Sequence, residues 1–136
     1  MAKFEKIIGT GGLGTGIIFR LKGNHDLGRN ESRPAILLDQ KDFCKLHIIF
    51  HYIARILKEL KYPAQILPIG AVGDDDPGRR VRTLMSEEGM NLKYIHILPD
   101  SPTLFGVCYT FADGSGGNLG GTNSASGQVT PAMIAE

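Results

Sequence analysis

Four groups of residues have types and spacings that could do chemistry. The segment Gly9-Thr10-Gly11-Gly12-Leu13-Gly14 fits G-x-G-x-x-G, a spacing that holds a dinucleotide pyrophosphate when a helix N-terminus follows it. His47 and His51 stand at i and i+4, which on a helix sets two imidazoles on one face, a geometry that can hold zinc. The run Asp74-Asp75-Asp76 offers carboxylates for a metal, a substrate or a helix cap. The Gly, Ser and Asn segment from Asp113 to Gly127 could form an amide nest for an anion.

Each has a plainer reading beside it. After Gly14 come Thr15-Gly16-Ile17-Ile18-Phe19-Arg20-Leu21, β-branched and aromatic residues that predict a strand, so the dinucleotide motif lacks its helix. The residue after His47 is Ile48, so the Glu of H-E-x-x-H is missing and no third ligand is evident. A polar line through His47, His51, Arg55 and Glu59, with an Arg55/Glu59 pair, accounts for the same residues. The Asp run lacks the further oxygen ligands of a Ca²⁺ loop, and capping uses at least one of its members. The Gly-rich segment reads as a mobile loop. Cys44 and Cys108 match no metal or redox spacing and read as buried thiols with no assigned chemistry.

The elements that must position these residues are those of one α/β domain. A chain of 136 residues with 42% hydrophobic content suffices for a single core. A net charge of +1 with scattered basic residues argues against nucleic-acid and membrane partners. The charged N-terminus lacks a signal-peptide core and no stretch reaches membrane-spanning length, so the expected location is cytoplasmic.

Apolar runs near 4–8, 17–21 and 35–38 predict strands. From Asp42 to Lys61 there is no Gly or Pro, Asp42 offers an N-cap, and apolar residues cover most of the circumference, which predicts a largely buried helix. Gln65–Ile69 predicts a strand ended by Gly70 to Gly73. A helix should start at Asp74-Asp75-Asp76-Pro77 and stop at Gly89, with further strands at 94–98 and 104–111. Thr130-Pro131 starts another helix that the end of the chain leaves under two turns long, which predicts a fragment.

The segment Pro68-Ile69-Gly70-Ala71-Val72-Gly73-Asp74-Asp75-Asp76-Pro77-Gly78-Arg79-Arg80-Val81, continuing to Leu84 and Glu87-Glu88-Gly89-Met90, resembles the G-x-V-G-D-D-x-x-G block of the PfkB carbohydrate kinases. Ser101 to Val107 resembles the family's T-G strand, Asp113-Gly114 its hairpin and Thr130-Pro131 its next helix start. The order and spacing are similar to the N-terminal part of such a kinase.

The resemblance implies a ribokinase-like three-layer α/β fold with a parallel central sheet and a small β flap or lid, truncated before the ATP-binding half. Residues 1–136 would form the N-terminal part of the kinase domain, with flap strands at about 15–40 and 94–118. It also implies transfer of the γ-phosphoryl of ATP, with Mg²⁺, to a sugar hydroxyl. ATP and Mg²⁺ belong to the complete family member, and none is expected to bind this chain well.

The family's Asn and Asp after the first strand correspond to Gly12 and Gly14. Its Gly-Gly pair and Asn at the first long helix correspond to Asp42-Phe43 and His47. Phe105, on the flap, is placed either to cover a sugar face or to pack in the core. These five positions, Gly12, Gly14, Asp42, His47 and Phe105, are the candidate substrate-binding residues.

No catalytic or metal-binding residue is assigned, because the family's G-A-G-D turn has no counterpart. Gly70-Ala71-Val72-Gly73-Asp74 differs from it by one residue of spacing. The chain alone is expected to be inactive, and exposed flap edges favour a homodimer through the flap strands. The competing readings are a non-catalytic small-ligand or dimerising module and a dinucleotide-binding protein.

Overall fold

The computed structural model describes residues 4–135, apart from the side chains of residues 41–43. The elements in chain order are β1 (Lys6–Thr10), β2 (Gly14–Leu21), β3 (Ala35–Phe43), α1 (Lys45–Glu59), β4 (Gln65–Gly73), α2 (Asp76–Glu87), β5 (Ile95–Leu98), β6 (Leu104–Thr110), β7 (Gly116–Gly120), a 3₁₀ turn (Ala125–Gln128) and α3 (Pro131–Ala135). They build two sheets. A parallel three-stranded sheet has the order β1-β4-β5, and a mixed four-stranded sheet has the order β3-β2-β6-β7.

β4 is the spine of the core because every residue from Ile66 to Gly73 is buried. Alternate side chains of a strand point to opposite faces. Ile66 and Val72 join Leu46, Phe50 and Ala54 of α1 and Val81 and Met85 of α2 in one apolar cluster. The other face, with Leu67, Ile69 and Ala71, is met by the 3₁₀ turn and α3.

β4 does not end at Ile69 as its glycines suggested; it runs through Gly73. Pro68 is tolerated because backbone bonds alternate sides along a parallel strand. Gln65 bonds toward β1, through the Glu5 carbonyl, whereas Ile66 and Gly70 bond toward the β5 side. The missing N–H of Pro68 therefore faces the β5 side, and β5 begins only opposite Gly70.

The expected helix start at Asp42 is also corrected. Residues 39–43 continue β3, with Asp39 opposite Ile18 and Asp42 opposite Gly16. The pairing outweighs the helical pattern, and polar residues suit an edge strand. Cys44 is the cap residue of α1, with no side-chain cap bond. The helix is not buried on most of its circumference: Leu46, His47, Phe50 and Ala54 face the core, while Ile48, Ile49, Tyr52, Ile56 and Leu60 are exposed. A helix on a sheet of this size finds cover for one face only.

The Gly-rich segment is likewise not one loop. It contains β7, antiparallel to β6 with Cys108 opposite Asn118. Its hairpin is closed by a bond from the Phe111 amide to the Ser115 carbonyl and by Asp113, whose carboxylate accepts from the Ser115 amide and hydroxyl. Gly114 takes φ +87° at the tip, a conformation glycine adopts without steric cost. Residues 95–98, included in the expected flap range, pair with β4 in the three-stranded sheet instead.

The β2–β3 connection is tied to this hairpin, since the Asn24 side chain accepts from the Ala112 amide. Within the connection, the Glu31 carboxylate takes bonds from Arg33 Nε and the Gly28 amide, which hold its pKa down at about 2. Arg33 also donates to the carbonyls of His25 and Asp26 and lies over the Phe111 ring.

Candidate functional site

β1 ends at Thr10, and residues 11–13 carry the chain from the parallel sheet to the four-stranded one. The passage is pinned by Leu13, whose side chain is fully buried and whose amide donates to the Ser126 hydroxyl at 3.0 Å. Beside this passage lies a cleft of about 460 Å³. Gly12 and Thr15 form one wall, Cys44, Lys45 and Ile48 at the start of α1 form the second, and Leu104, Cys108 and Asn118 of the four-stranded sheet form the third. The walls are mainly apolar. Thr15, Lys45, Asn118 and the two thiols are its polar groups.

The glycines of the opening motif thus lie between strands of two sheets, with no helix after them, so the geometry that holds a pyrophosphate is not formed. Gly14 begins β2 opposite Leu104, and a Cβ there would collide with the Leu104 carbonyl oxygen. At Gly12 a Cβ would lie 3.6 Å from Cys44 Cβ and from Leu104 Cδ2, an ordinary contact. Gly14 is therefore required by backbone packing, whereas Gly12 leaves cleft space that a side chain would fill.

The five candidates do not converge. Gly12 lines the cleft and Gly14 adjoins it in β2. The backbone of Asp42 lies in β3, and its side chain falls outside the described residues. His47 turns to a smaller hollow of about 230 Å³ that it lines with Ile48, His51, Tyr52 and Leu84. Phe105, half exposed, lines a third hollow with Pro102, Val107 and Ser124. It alternates along β6 with Leu104, Gly106 and Cys108, which line the cleft.

The histidine line is not a polar surface, because His47 is only 3% exposed. Its burial and the neighbouring His51 hold its pKa below the ordinary histidine value against the opposing pull of Glu88. Arg55 bonds Glu88 of the α2 C-terminus at 2.5 Å, not Glu59, and His51 Nδ1 lies 3.8 Å from the same carboxylate oxygen. The line is a joint between two helices.

Of the three aspartates, Asp75 is the cap. Its Oδ1 accepts from the Gly78 amide at 2.8 Å and from the Thr103 hydroxyl, and its Oδ2 accepts from the Thr103 amide at 2.8 Å. Burial works to raise its pKa, but these bonds outweigh it and hold the carboxyl below the ordinary value. Thr103 Oγ1 in turn accepts from the Gly73 amide at 2.9 Å. The Gly73 and Gly78 amides are thus used inside the protein. Asp74 and Asp76 pair with Arg79 at the surface.

The described residues contain no group of three or more His, Cys, Asp or Glu side chains able to hold a metal ion. Nor is any of their helices long and apolar enough to cross a membrane.

Thr15, Lys45, Asn118 and the two cysteines were missed as cleft residues. The Cys108–Asn118 register brings a Gly-rich segment to the cleft, and only knowledge that this segment is a strand would have exposed it.

No protein-family model and no curated protein matches the sequence. Solved structures do match. Ribokinase from Giardia lamblia superposes with a TM-score of 0.72 at 17% identity, over 98% of this chain and 38% of that one. Ribokinase from Cryptococcus neoformans var. grubii serotype A, in complex with ADP, gives 0.66 at 21% identity, over 88% and 35%. A Burkholderia thailandensis nucleoside kinase in complex with inosine gives 0.64 at 17% identity, over 85% and 36%. The chain spans little more than a third of the length of these kinases. Its architecture, a parallel sheet joined to a second sheet, is a ribokinase-like fold.

Proposed function

We propose that this chain is the acceptor-binding part of an ATP-dependent kinase that phosphorylates a hydroxyl of a sugar or sugar-like molecule. The observation that carries the reading is the cleft beside the β1–β2 passage, walled by that passage, the start of α1 and the four-stranded sheet, in a chain with a ribokinase-like fold. Ligands of α/β proteins bind beyond the carboxyl ends of parallel strands, where connections diverge, and the β1–β2 passage is such a place. Thr15, Lys45 and Asn118 would supply hydrogen bonds to hydroxyls, and the apolar walls would cover a ring face.

Phosphoryl transfer rests on positioning and charge stabilisation around the phosphates and their metal. The nucleotide, Mg²⁺ and the base would come from the part of such kinases that this chain does not span. The chain alone should therefore bind acceptor without turning over.

Titration of the ¹⁵N-labelled chain with ribose, fructose and inosine tests the reading. Saturable amide shifts confined to Gly12, Thr15, Lys45, Cys108 and Asn118 are expected with at least one of them. Shifts elsewhere, or none with any, would overturn it. Sugar-dependent ATP consumption by the purified chain would overturn the proposed inactivity.

A further inference from the structure

The outward face of α1 carries an exposed apolar pattern that the chain's own core does not cover. Ile49, Tyr52, Ile56 and Leu60 are 53%, 64%, 57% and 69% exposed. Lys45, Ile49, Tyr52, Ile56 and Glu59 are separated by four, three, four and three residues. That spacing keeps five side chains in one stripe and is the spacing of a helix-pairing seam. The stripe is apolar in the middle and charged at both ends.

The end charges are placed against the helix that bears them. Lys45 lies in the first turn, where the helix dipole is positive, and Glu59 in the last, where it is negative. Each placement costs an isolated helix stability. The two residues lie symmetrically about Tyr52, seven positions to either side, about 10 Å along the axis. A second α1 laid antiparallel across the first, on a two-fold axis at Tyr52, sets each Lys45 against the other copy's Glu59. It also brings Ile48 and Ile49 onto Ile56. A parallel arrangement would oppose Lys45 to Lys45. The T-shaped contact of Tyr52 with His51, ring centroids 6.1 Å apart, holds the central ring for such a contact.

We infer that α1 pairs with α1 of a second copy of this chain, antiparallel about Tyr52, through the apolar stripe and two Lys45–Glu59 ion pairs. Self-complementary charge in a stripe with a two-fold centre is the mark of an isologous interface, in which one patch meets itself. The patch is one helix wide, so the dimer is a weak one that forms with rising concentration.

Sedimentation velocity over a concentration series tests the inference with Lys45→Glu, Glu59→Lys and the double exchange. Lys45→Glu corrects a charge that opposes the helix dipole, and Glu59→Lys does so while giving up the attraction between Glu59 and Arg55. Thermal melts of both monomers are therefore read beside the sedimentation, and association lost without a lower melting temperature is not misfolding. Each single variant should dissociate about tenfold more readily, because like charges then face each other. The double exchange should restore the parent dimer, and Ile56→Glu should abolish it. A chain that remains monomeric at all concentrations would overturn the inference. So would a dimer indifferent to these variants, as one formed through β3 or β7 would be, and so would stable capture of α1 only by a different protein.

Discussion

Gly12 and Gly14 stand two residues apart and are glycine for different reasons. The hydrogen in place of a Cβ at Gly14 lets β2 run against the Leu104 carbonyl, while at Gly12 the same absence only leaves space between Cys44 and Leu104. Gly14→Ala should cost about 1–3 kcal/mol, because strand and carbonyl must separate. Gly12→Ala should change stability by no more than about 0.5 kcal/mol. Urea unfolding of the two variants checks the contrast, and equal costs would refute it. The resemblance set both where the family has Asn and Asp, and only the β2–β6 register separates them.

Among the elements, α2 shows how much a start signal can carry. Asp75 both caps this helix and receives the amide and hydroxyl of Thr103, so one carboxylate fastens the end of β4, the start of α2 and the approach to β6. Asp75→Ala removes a cap and leaves the buried Thr103 amide without its acceptor, a combined loss of about 2–4 kcal/mol. Because the folded pKa lies below the unfolded one, the charged carboxylate's contribution is complete above the unfolded value. It is lost as pH falls through the folded value. Thermal melts between pH 7 and pH 2 should show a shallower acid slope in the variant than in the parent. This start was legible because Asp, Pro and a closing Gly are local signals. The true length of β3, the strand in the Gly-rich segment and the burial of His47 were not, since each depends on a partner distant in sequence: β2, β6 and α2. The helical pattern from residue 42 gave way to the pairing of Asp42 with Gly16, which no local window contains.

The whole molecule joins two sheets of unequal depth. β4 is covered on both faces and buried from Ile66 to Gly73, whereas the described side chains of β3 are exposed throughout and β7 is exposed but for Gly117. The joint consists of the 11–13 passage with buried Leu13, the Asp75–Thr103 bonds and the contact of α2 with β2. Apolar burial sets the free energy of local opening, so the four-stranded sheet should open while the parallel core stays folded. Native-state hydrogen exchange should give β4 amides opening energies near that of global unfolding, and β3 and β7 amides distinctly lower ones. Leu13→Ala should lower the opening energies of both sheets, since Leu13 is fully buried in the core cluster with Leu46, Phe50 and Val72 and its removal costs about 2.7–5 kcal/mol. Uniform protection across both sheets would mean that they unfold as one unit, and that the joint transmits the depth of the core to the exposed sheet.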